Sequence, residues 1–299
     1  FVPTEEQINA QYSTLVDAQF EAFDTALQAL ITGVALGDEV ASITETMISG
    51  NDALDAAIAN LHDITDPGQV YVTGGPVKVI WESSDEDLLN LLLESLTLPG
   101  LDGSDATVEL TASLLDGTEL GSYTVEIASL ATLMLEDAKD AAEAQFDAFE
   151  TGLLALIEGA EVGNEFASVT DPSISTNSAL DSAIELLTNL DDSESFIADG
   201  TILDVEWTTT DSTWLDLETN RLTLPNIEAS GFEEVTLVAT LADGTELGEY
   251  TLQVKSLRTL IIEAAEDALT EAFEDALTDE NIELDAANNF SLGSNENTT

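Results

Sequence analysis

The sequence predicts an α+β protein built from two tandem repeats and a shorter third piece. The first observation is internal repetition: Trp81 returns as Trp207, and the Thr-Leu-Pro triplet at 97–99 returns at 223–225, both 126 positions later. The second is a change of apolar spacing within each repeat, from helical intervals to the alternation typical of strands. Each repeat is therefore predicted to be a helical hairpin-like segment followed by a small β-sandwich.

The first part of each repeat has the apolar spacing of helices. Over 5–33 the large apolar residues recur every three to five positions. A second, shorter helix is predicted over 53–61, with Ser49 or Asn51 at its start. The same order returns in the second repeat, where the long helix is predicted over 134–157.

The second part of each repeat has the alternation of strands with one buried face. The runs concerned are 77–81, 108–112 and 123–127, and again 203–207, 235–239 and 250–254. An Asp-Gly pair at 116–117, and again at 243–244, separates two such runs and favours a tight hairpin. Trp81 and Trp207 are predicted to lie buried between two sheets.

These runs and motifs, in their order along the chain, resemble the atrophied bacterial immunoglobulin-like domain. That family is a cut-down immunoglobulin-like sandwich, found as tandem modules in large secreted or surface-attached bacterial proteins. The resemblance covers a little over a third of the chain. It implies an Ig-like sandwich in each repeat and a role as a spacer or binding module without a catalytic residue set. The chain departs from the family in having far less lysine.

The residues that carry the resemblance occur in both repeats. In the first they are Trp81, Ser83, Ser84, Asp85, Leu98, Pro99, Leu110, Ala112, Gly117, Tyr123 and Val125. In the second they are Trp207, Thr208, Thr209, Asp211, Leu224, Pro225, Leu237, Ala239, Gly244, Tyr250 and Val254.

The repeats predict five segments along the chain. They are a helical segment at 1–69, an Ig-like sandwich at 70–130, a helical segment at 131–195, an Ig-like sandwich at 196–257, and a helical half-unit at 258–299. The helix that leaves the first sandwich is also the first helix of the second repeat. A continuous helix of that kind predicts a stiff connection rather than a flexible linker.

The charge of the chain restricts its partners. It has 299 residues, of which 61 are acidic and 5 basic, so the net charge is −56. Repulsion of that size argues against binding to nucleic acid or to an anionic membrane. Two explanations remain open: a habitat of high salt that screens the repulsion, or Ca²⁺ held by carboxylates on loops. No apolar run reaches the roughly 18 residues that membrane insertion requires.

Carboxylate-rich turns are the candidate Ca²⁺ sites, because oxygen ligands on flexible loops suit that ion. The residues are Asp85, Glu86, Asp87, Asp102 and Asp105 in the first repeat, and Asp191, Asp192, Glu194 and Asp199 in the second. Their spacing does not match an EF-hand loop, so a solvated acidic loop is the favoured interpretation.

Composition argues against an enzyme. His62 is the single histidine and cysteine does not occur, so neither a Ser-His-Asp nor a Cys-His arrangement can be assembled. Aromatic residues make up 6 % of the chain, which is few for the aromatic cleft that a glycosidase needs. We expect a protein that requires no cofactor, Ca²⁺ being the one candidate ion.

The C-terminal half-unit begins like a third repeat and then stops. Its apolar residues Leu260, Ile261, Leu269, Phe273, Leu277 and Phe290 are the candidate assembly residues. Three explanations are open: a terminal cap of the array, an element that docks on the next subunit and builds an open filament, or one segment of a longer array.

Together these features predict an extracellular structural protein, a subunit of a cell-surface filament that assembles head to tail with itself. Because like-charged subunits repel, assembly is expected to require salt or Ca²⁺. The alternative is a stalk or adhesin module that binds a glycan, a host protein or another cell-surface component.

Overall fold

A computed structural model describes residues 5–33, 46–64, 77–190, 204–229, 231–279, 282–284 and 290–292. The chain divides into two compact units, the first comprising 1–141 with 189–204 and the second 142–188 with 205–299. Both contain helices and small antiparallel sheets, which confirms the predicted α+β class. None of the helices in the described ranges is long and apolar enough to cross a membrane.

The first unit takes its elements from the first repeat. They are α1 (Glu5–Thr32), β1 (Met47–Ser49), α2 (Asp52–Ile58), β2 (Val79–Ser83), β3 (Leu89–Asn90), β4 (Ser95–Thr97), β5 (Ala106–Leu114), β6 (Glu119–Ile127) and the beginning of α3 (Leu130–Gly159). The strands form two antiparallel sheets, in the orders β2-β5-β6 and β1-β4-β3.

The second unit repeats this order. Its elements are the remainder of α3, β7 (Ser173–Ser175), α4 (Ser178–Ile184), β8 (Val205–Thr209), β9 (Leu215–Asp216), β10 (Arg221–Thr223), β11 (Phe232–Leu241), β12 (Glu246–Lys255), α5 (Leu257–Asp279), β13 (Ile282–Leu284) and β14 (Phe290–Leu292). The sheets are ordered β8-β11-β12 and β7-β10-β9, and β13 pairs with β14.

Local sequence explains where several elements begin and turn. The side chain of Asn51 accepts hydrogen bonds from the first N–H groups of α2, and Asn177 does the same for α4. Gly117 and Gly244 adopt φ of +86° and +88° in the predicted hairpins, a conformation that L side chains rarely adopt.

The core of the first unit joins its helices to both of its sheets. Phe23 and Leu27 of α1 are fully buried together with Leu54 of α2, Leu96 of β4 and Leu110 of β5. The second unit has the corresponding core, centred on Phe149 and Leu153 of α3. Helices and sheets are thus mutually dependent, since each supplies the surface that buries the other. The five-segment division of the sequence stays a prediction.

A repeated aromatic stack attaches the long helix to a sheet. Phe20 of α1 stacks on Tyr123 at a ring-centroid distance of 4.5 Å, and Trp81 lies 5.7 Å from the same tyrosine ring. Trp81 is half-buried and packs against the core of the first unit, so the tryptophan that was predicted to be buried is buried in part. Strand β2 places Trp81 beside Tyr123, and the ring of Tyr123 faces α1.

The second unit has the same stack, built from Phe146 of α3, Tyr250 and Trp207 with centroid distances of 5.0 and 5.5 Å. The stack explains a glycine in each hairpin. A Cβ added at Gly248 would lie 2.7 Å from the hydroxyl oxygen of Tyr250, and Gly121 is covered by Tyr123 in the same way.

Candidate functional site

The terminal helix α5 is fixed to the second unit by its first two turns. Leu257 is buried, and Leu260 packs against the core of that unit. Ser256 caps the helix: its Oγ accepts the N–H of Thr259 at 3.2 Å. Lys255 forms an ion pair with Glu263, with 3.0 Å between Nζ and Oε2. The start of α5 is therefore held by burial, a serine cap and an ion pair.

From Ile261 onward α5 exposes large apolar side chains. The exposed fractions are 38 % for Ile261, 46 % for Ile262, 71 % for Leu269 and 49 % for Phe273. The side chains of Leu277 and Phe290, the other predicted assembly residues, lie outside the described part of the chain. Five of the six predicted residues thus lie on α5, and three of the four whose side chains are described are exposed beyond one third.

The equivalent residues of α3 are buried. Ala142 and Phe146 correspond to Leu269 and Phe273 at a spacing of 127, and their exposed fractions are 0 % and 6 %. The α5 sequence then departs from the repeat, because Ala276 stands at the position of the core residue Phe149. α5 therefore keeps part of the apolar stripe of α3 but has an alanine where α3 has the buried Phe149.

The candidate metal residue Asp85 is a turn cap. Its Oδ1 accepts the N–H groups of Asp87 and Leu88 at 3.0 and 3.2 Å, before the short strand β3. Asp211 repeats this role with the N–H of Thr213 at 2.9 Å. The hydroxyl and then the N–H of Thr213 hold the pKa of Asp211 below its usual value. The Oδ1 of Asp211 is therefore already engaged in a hydrogen bond within the chain.

The candidate Asp105 anchors the start of α3. Its Oδ1 accepts the N–H of Ser129 at 2.8 Å and the hydroxyl of Thr132 at 2.7 Å, and these bonds lower the pKa of Asp105. At the start of α5 the carbonyl oxygen of Gly231 accepts the corresponding pair, the N–H of Ser256 and the hydroxyl of Thr259. The acceptor at the start of α3 is therefore a side-chain carboxylate, whereas at the start of α5 it is a backbone carbonyl.

The remaining metal candidates do not form a centre in the described chain. Glu86, Asp87 and Asp102 are exposed in turns. Across the described ranges, no group of three or more histidine, aspartate or glutamate side chains is placed to hold a metal ion. Asp191, Asp192, Glu194 and Asp199 lie outside the described residues. The Ca²⁺ site stays a prediction.

His62 and Trp214 have local structural surroundings. Nδ1 of His62 lies 3.0 Å from Nε2 of Gln19 on α1 and 2.9 Å from the carbonyl oxygen of Asp63, so it links the helix to the loop after α2. Trp214 is half-buried and packs against the core of the second unit. Both positions agree with a structural role.

Two further surface features lie outside the sequence prediction. The turn after β3 exposes Leu92 and Leu93 by 90 % and 71 %, where the second repeat has Glu218 and Thr219. This difference between the repeats is visible when their sequences are aligned.

The second feature is a cleft of about 460 Å³ in the second unit, between the end of α3 and the beginning of α5. Its lining residues are Ile157, Glu158, Ala160, Leu260, Glu263, Ala264, Glu266 and Asp267. The lining residues come from two helices that are distant in sequence, so no sequence motif predicts the cleft.

No family model matches the chain. The search of curated proteins finds no match either. The resemblance to the atrophied immunoglobulin-like domain therefore stays a proposal.

Proposed function

We propose that this protein is a non-enzymatic, extracellular structural protein, a subunit of a cell-surface filament. In this proposal its two units are helix-bearing, Ig-like modules in tandem, and subunits associate head to tail through α5. The repeated architecture supports a structural module, because the same helix, caps, sheets and aromatic stack are built twice. A binding surface carried on one terminal element suits a heterologous contact, which does not close on itself.

The observation that carries the proposal is the exposure of α5. A helix equivalent to the one that buries Ala142 and Phe146 leaves Leu269 71 % and Phe273 49 % exposed. Exposed large apolar side chains grouped on one element are typical of interaction surfaces. A stable contact needs about 800 Å² from each partner, so polar groups around these side chains must take part as well.

Charge sets the conditions for assembly. The exposed part of α5 also carries acidic residues, among them Glu266, Asp267, Glu271 and Asp275, in a chain with a net charge of −56. Two such surfaces repel unless salt or a divalent cation screens them; the screening length is about 3 Å in molar salt. Assembly is therefore expected in molar NaCl or millimolar CaCl₂ and is expected to fail in dilute buffer with chelator.

The test compares two substitutions of equally exposed leucines. Leu269→Gln removes an apolar group from α5, and Leu115→Gln removes one from the hairpin turn between β5 and β6; the two leucines are 71 % and 70 % exposed. Glutamine retains helix propensity, so α5 is expected to persist. Negative-stain microscopy and light scattering are recorded for both variants and the unchanged chain in high salt.

Filaments formed by the unchanged chain and by Leu115→Gln, but reduced in Leu269→Gln, would support assembly through α5. If both variants assemble equally, α5 is not the contact. If the unchanged chain stays monomeric in salt and Ca²⁺, the filament proposal is wrong and the stalk or adhesin alternative takes its place.

A further inference from the structure

We propose that α5 of one subunit docks on the turn between β3 and β4 in the first unit of the next subunit. In this contact Leu92 and Leu93 of the turn pack between the exposed apolar side chains of α5, and Glu94 of the turn pairs with Arg258. The contact rests on the proposed assembly through α5 and adds the surface that receives this helix.

The turn exposes two leucines that its own unit does not bury. The exposed fractions are 90 % for Leu92 and 71 % for Leu93, and the equivalent turn of the second unit has Glu218 and Thr219 at these positions. In both turns the side-chain Oδ1 of the last strand residue accepts the N–H groups two and three positions further on. The same turn therefore forms with polar side chains, and folding does not require the leucines.

The turn of the first unit also lacks a hydrogen bond that the second unit has. Nδ2 of Asn220 donates to Oδ1 of Asp181 on α4 at 2.8 Å. Glu94 stands at the position of Asn220, with a φ of +50° against +49°, and an ionised carboxylate cannot donate this bond. Among the described residues, the buried Oδ1 of Asp55, the counterpart of Asp181, has no hydrogen-bond partner. An unpaired buried acceptor lowers stability, so Glu94 is not explained by the fold of its own unit.

On α5 the exposed apolar side chains leave a gap that suits two leucines. Ile262, Leu269 and Phe273 are exposed and follow one another at intervals of seven and four residues, which places them on one side of the helix. Ile262 and Leu269 lie about 10 Å apart along the helix axis, with the exposed Ala265 between them. Adjacent leucine side chains fill a gap of this kind as knobs fill holes between packed helices.

Charge supports the same pairing of surfaces. Arg258 precedes Ile262 by one turn and extends the same side of α5. Arg258 is exposed and forms no ion pair within the described ranges, whereas the nearby Lys255 is bound to Glu263. Glu94 is exposed and directly follows the two leucines. An arginine beside one apolar surface and a glutamate beside the other are complementary, in a chain that has 5 basic residues in all.

The distribution of the two surfaces identifies a second copy of the chain as the partner. The turn belongs to the first unit and α5 to the second. The equivalent turn of the second unit is polar, and α3 buries the residues that correspond to Leu269 and Phe273, so neither surface is duplicated. A chain with one surface of each kind associates with further copies in an open, heterologous series.

The first experiment replaces the leucines by polar side chains like those of the second unit. Leu92→Gln/Leu93→Thr keeps the charge of the chain, and Leu115→Gln is the control, at a leucine 70 % exposed in a different turn. Light scattering in millimolar CaCl₂ gives the protein concentration at which assembly begins. We expect this concentration to rise about tenfold for the turn variant, because leucine burial is lost, and to change less than about twofold for the control. Far-ultraviolet circular dichroism checks the fold of each variant.

The second experiment reverses the proposed ion pair. Glu94→Arg makes the chain less negative, so general repulsion between subunits predicts easier assembly, whereas a specific pair with Arg258 predicts harder assembly. We expect Glu94→Arg and Arg258→Glu each to raise the concentration for assembly about fivefold. The combined variant Glu94→Arg/Arg258→Glu restores the pair and should return to within about twofold of the unchanged chain.

The third experiment mixes two defective chains. Leu269→Gln/Phe273→Gln keeps the turn and loses the apolar surface of α5, whereas Leu92→Gln/Leu93→Thr keeps α5 and loses the apolar turn. Each mixture then contains one working surface of each kind, on different chains. We expect sedimentation velocity to show dimers of one chain with the other and no filaments.

Four outcomes would overturn the proposal. Normal assembly of Leu92→Gln/Leu93→Thr beside defective assembly of Leu269→Gln/Phe273→Gln would exclude the turn and leave assembly through α5 intact. Dimers of Leu92→Gln/Leu93→Thr alone would show that α5 pairs with itself. Easier assembly of Glu94→Arg would exclude the ion pair with Arg258. An unchanged chain that stays monomeric in salt and Ca²⁺ would exclude this contact together with the proposed function.

Discussion

Helices α3 and α5 start alike and have opposite surroundings. Both are capped by a serine, Ser129 and Ser256, and both bury their first leucine, Leu130 and Leu257. Two turns later α3 is buried on one side and α5 is exposed. The comparison teaches that apolar spacing makes a helix amphipathic but does not bury it. Burial comes from the sheet and short helix that follow in the same repeat, as α4 and β8 to β12 follow α3.

The largest effect should appear when a buried aromatic of α3 is compared with an exposed one of α5. Phe149→Ala opens a cavity at a fully buried position and should lower the free energy of unfolding by about 3–5 kcal/mol. Phe273→Ala, at a residue 49 % exposed, should lower it by less than about 1 kcal/mol. Urea denaturation followed by fluorescence measures both. Equal losses would mean that α5 is buried to the same degree as α3.

A smaller effect is expected from the stack that holds α3 to its sheet. Gly248→Ala places a methyl group against the ring of Tyr250, which stacks on Phe146. Moving the ring should cost about 1–3 kcal/mol of unfolding free energy. Near-ultraviolet circular dichroism should show the disturbed aromatic packing. A variant as stable as the unchanged chain would show that the stack is loose.

The starts of the two helices should differ in their response to acid. Asp105→Ala removes the carboxylate that accepts two hydrogen bonds at the start of α3, and should lower stability at pH 7 by about 1 kcal/mol. Because folding lowers the pKa of Asp105, its contribution is complete above the unfolded pKa and disappears as pH falls through the folded one.

The difference between Asp105→Ala and the unchanged chain should therefore vanish in acid, when thermal unfolding is recorded from pH 7 to pH 2. Ser256→Ala at the start of α5 is the control, because the bond it removes, from the N–H of Thr259 to the hydroxyl of Ser256, contains no group that titrates in this range. A pH-independent loss in Asp105→Ala would contradict this interpretation.

The smallest effect is expected for Leu269→Gln in the monomer. The residue is 71 % exposed, so its replacement should change the free energy of unfolding by less than about 0.5 kcal/mol in dilute buffer. Urea denaturation at low salt checks this. A loss above 1 kcal/mol would show that Leu269 packs within its own chain, which would remove it from the assembly surface.

Much of the fold could be predicted from the sequence, because it rests on local periodicity. The long helices have apolar residues at three- to five-residue intervals, and β5 and β6 alternate over nine residues each. The strands β1 and β3, with three and two residues, are too short to show a period. They exist because β4 pairs with both of them.

The candidate sites were less predictable, because residue type does not reveal what a side chain contacts. Asp85 and Asp105 have the composition of a cation site, yet each accepts hydrogen bonds from its own chain. The cleft was not foreseen, since Glu158 and Glu266 are brought together only by the packing of α5 beside α3. The assembly residues named on α5 stay a prediction.

The aspartate turn caps affect how the protein responds to acid. Hydrogen bonds from neighbouring threonine hydroxyls and backbone N–H groups hold the pKa values of five aspartates below the usual range, namely Asp105, Asp116, Asp211, Asp216 and Asp243. As pH falls towards 4, ordinary carboxylates take up protons before these five do. Mutual repulsion is thus lost while the turns are still closed. Acid should precipitate this chain in its folded form, and neutralisation should return it to solution without a refolding step.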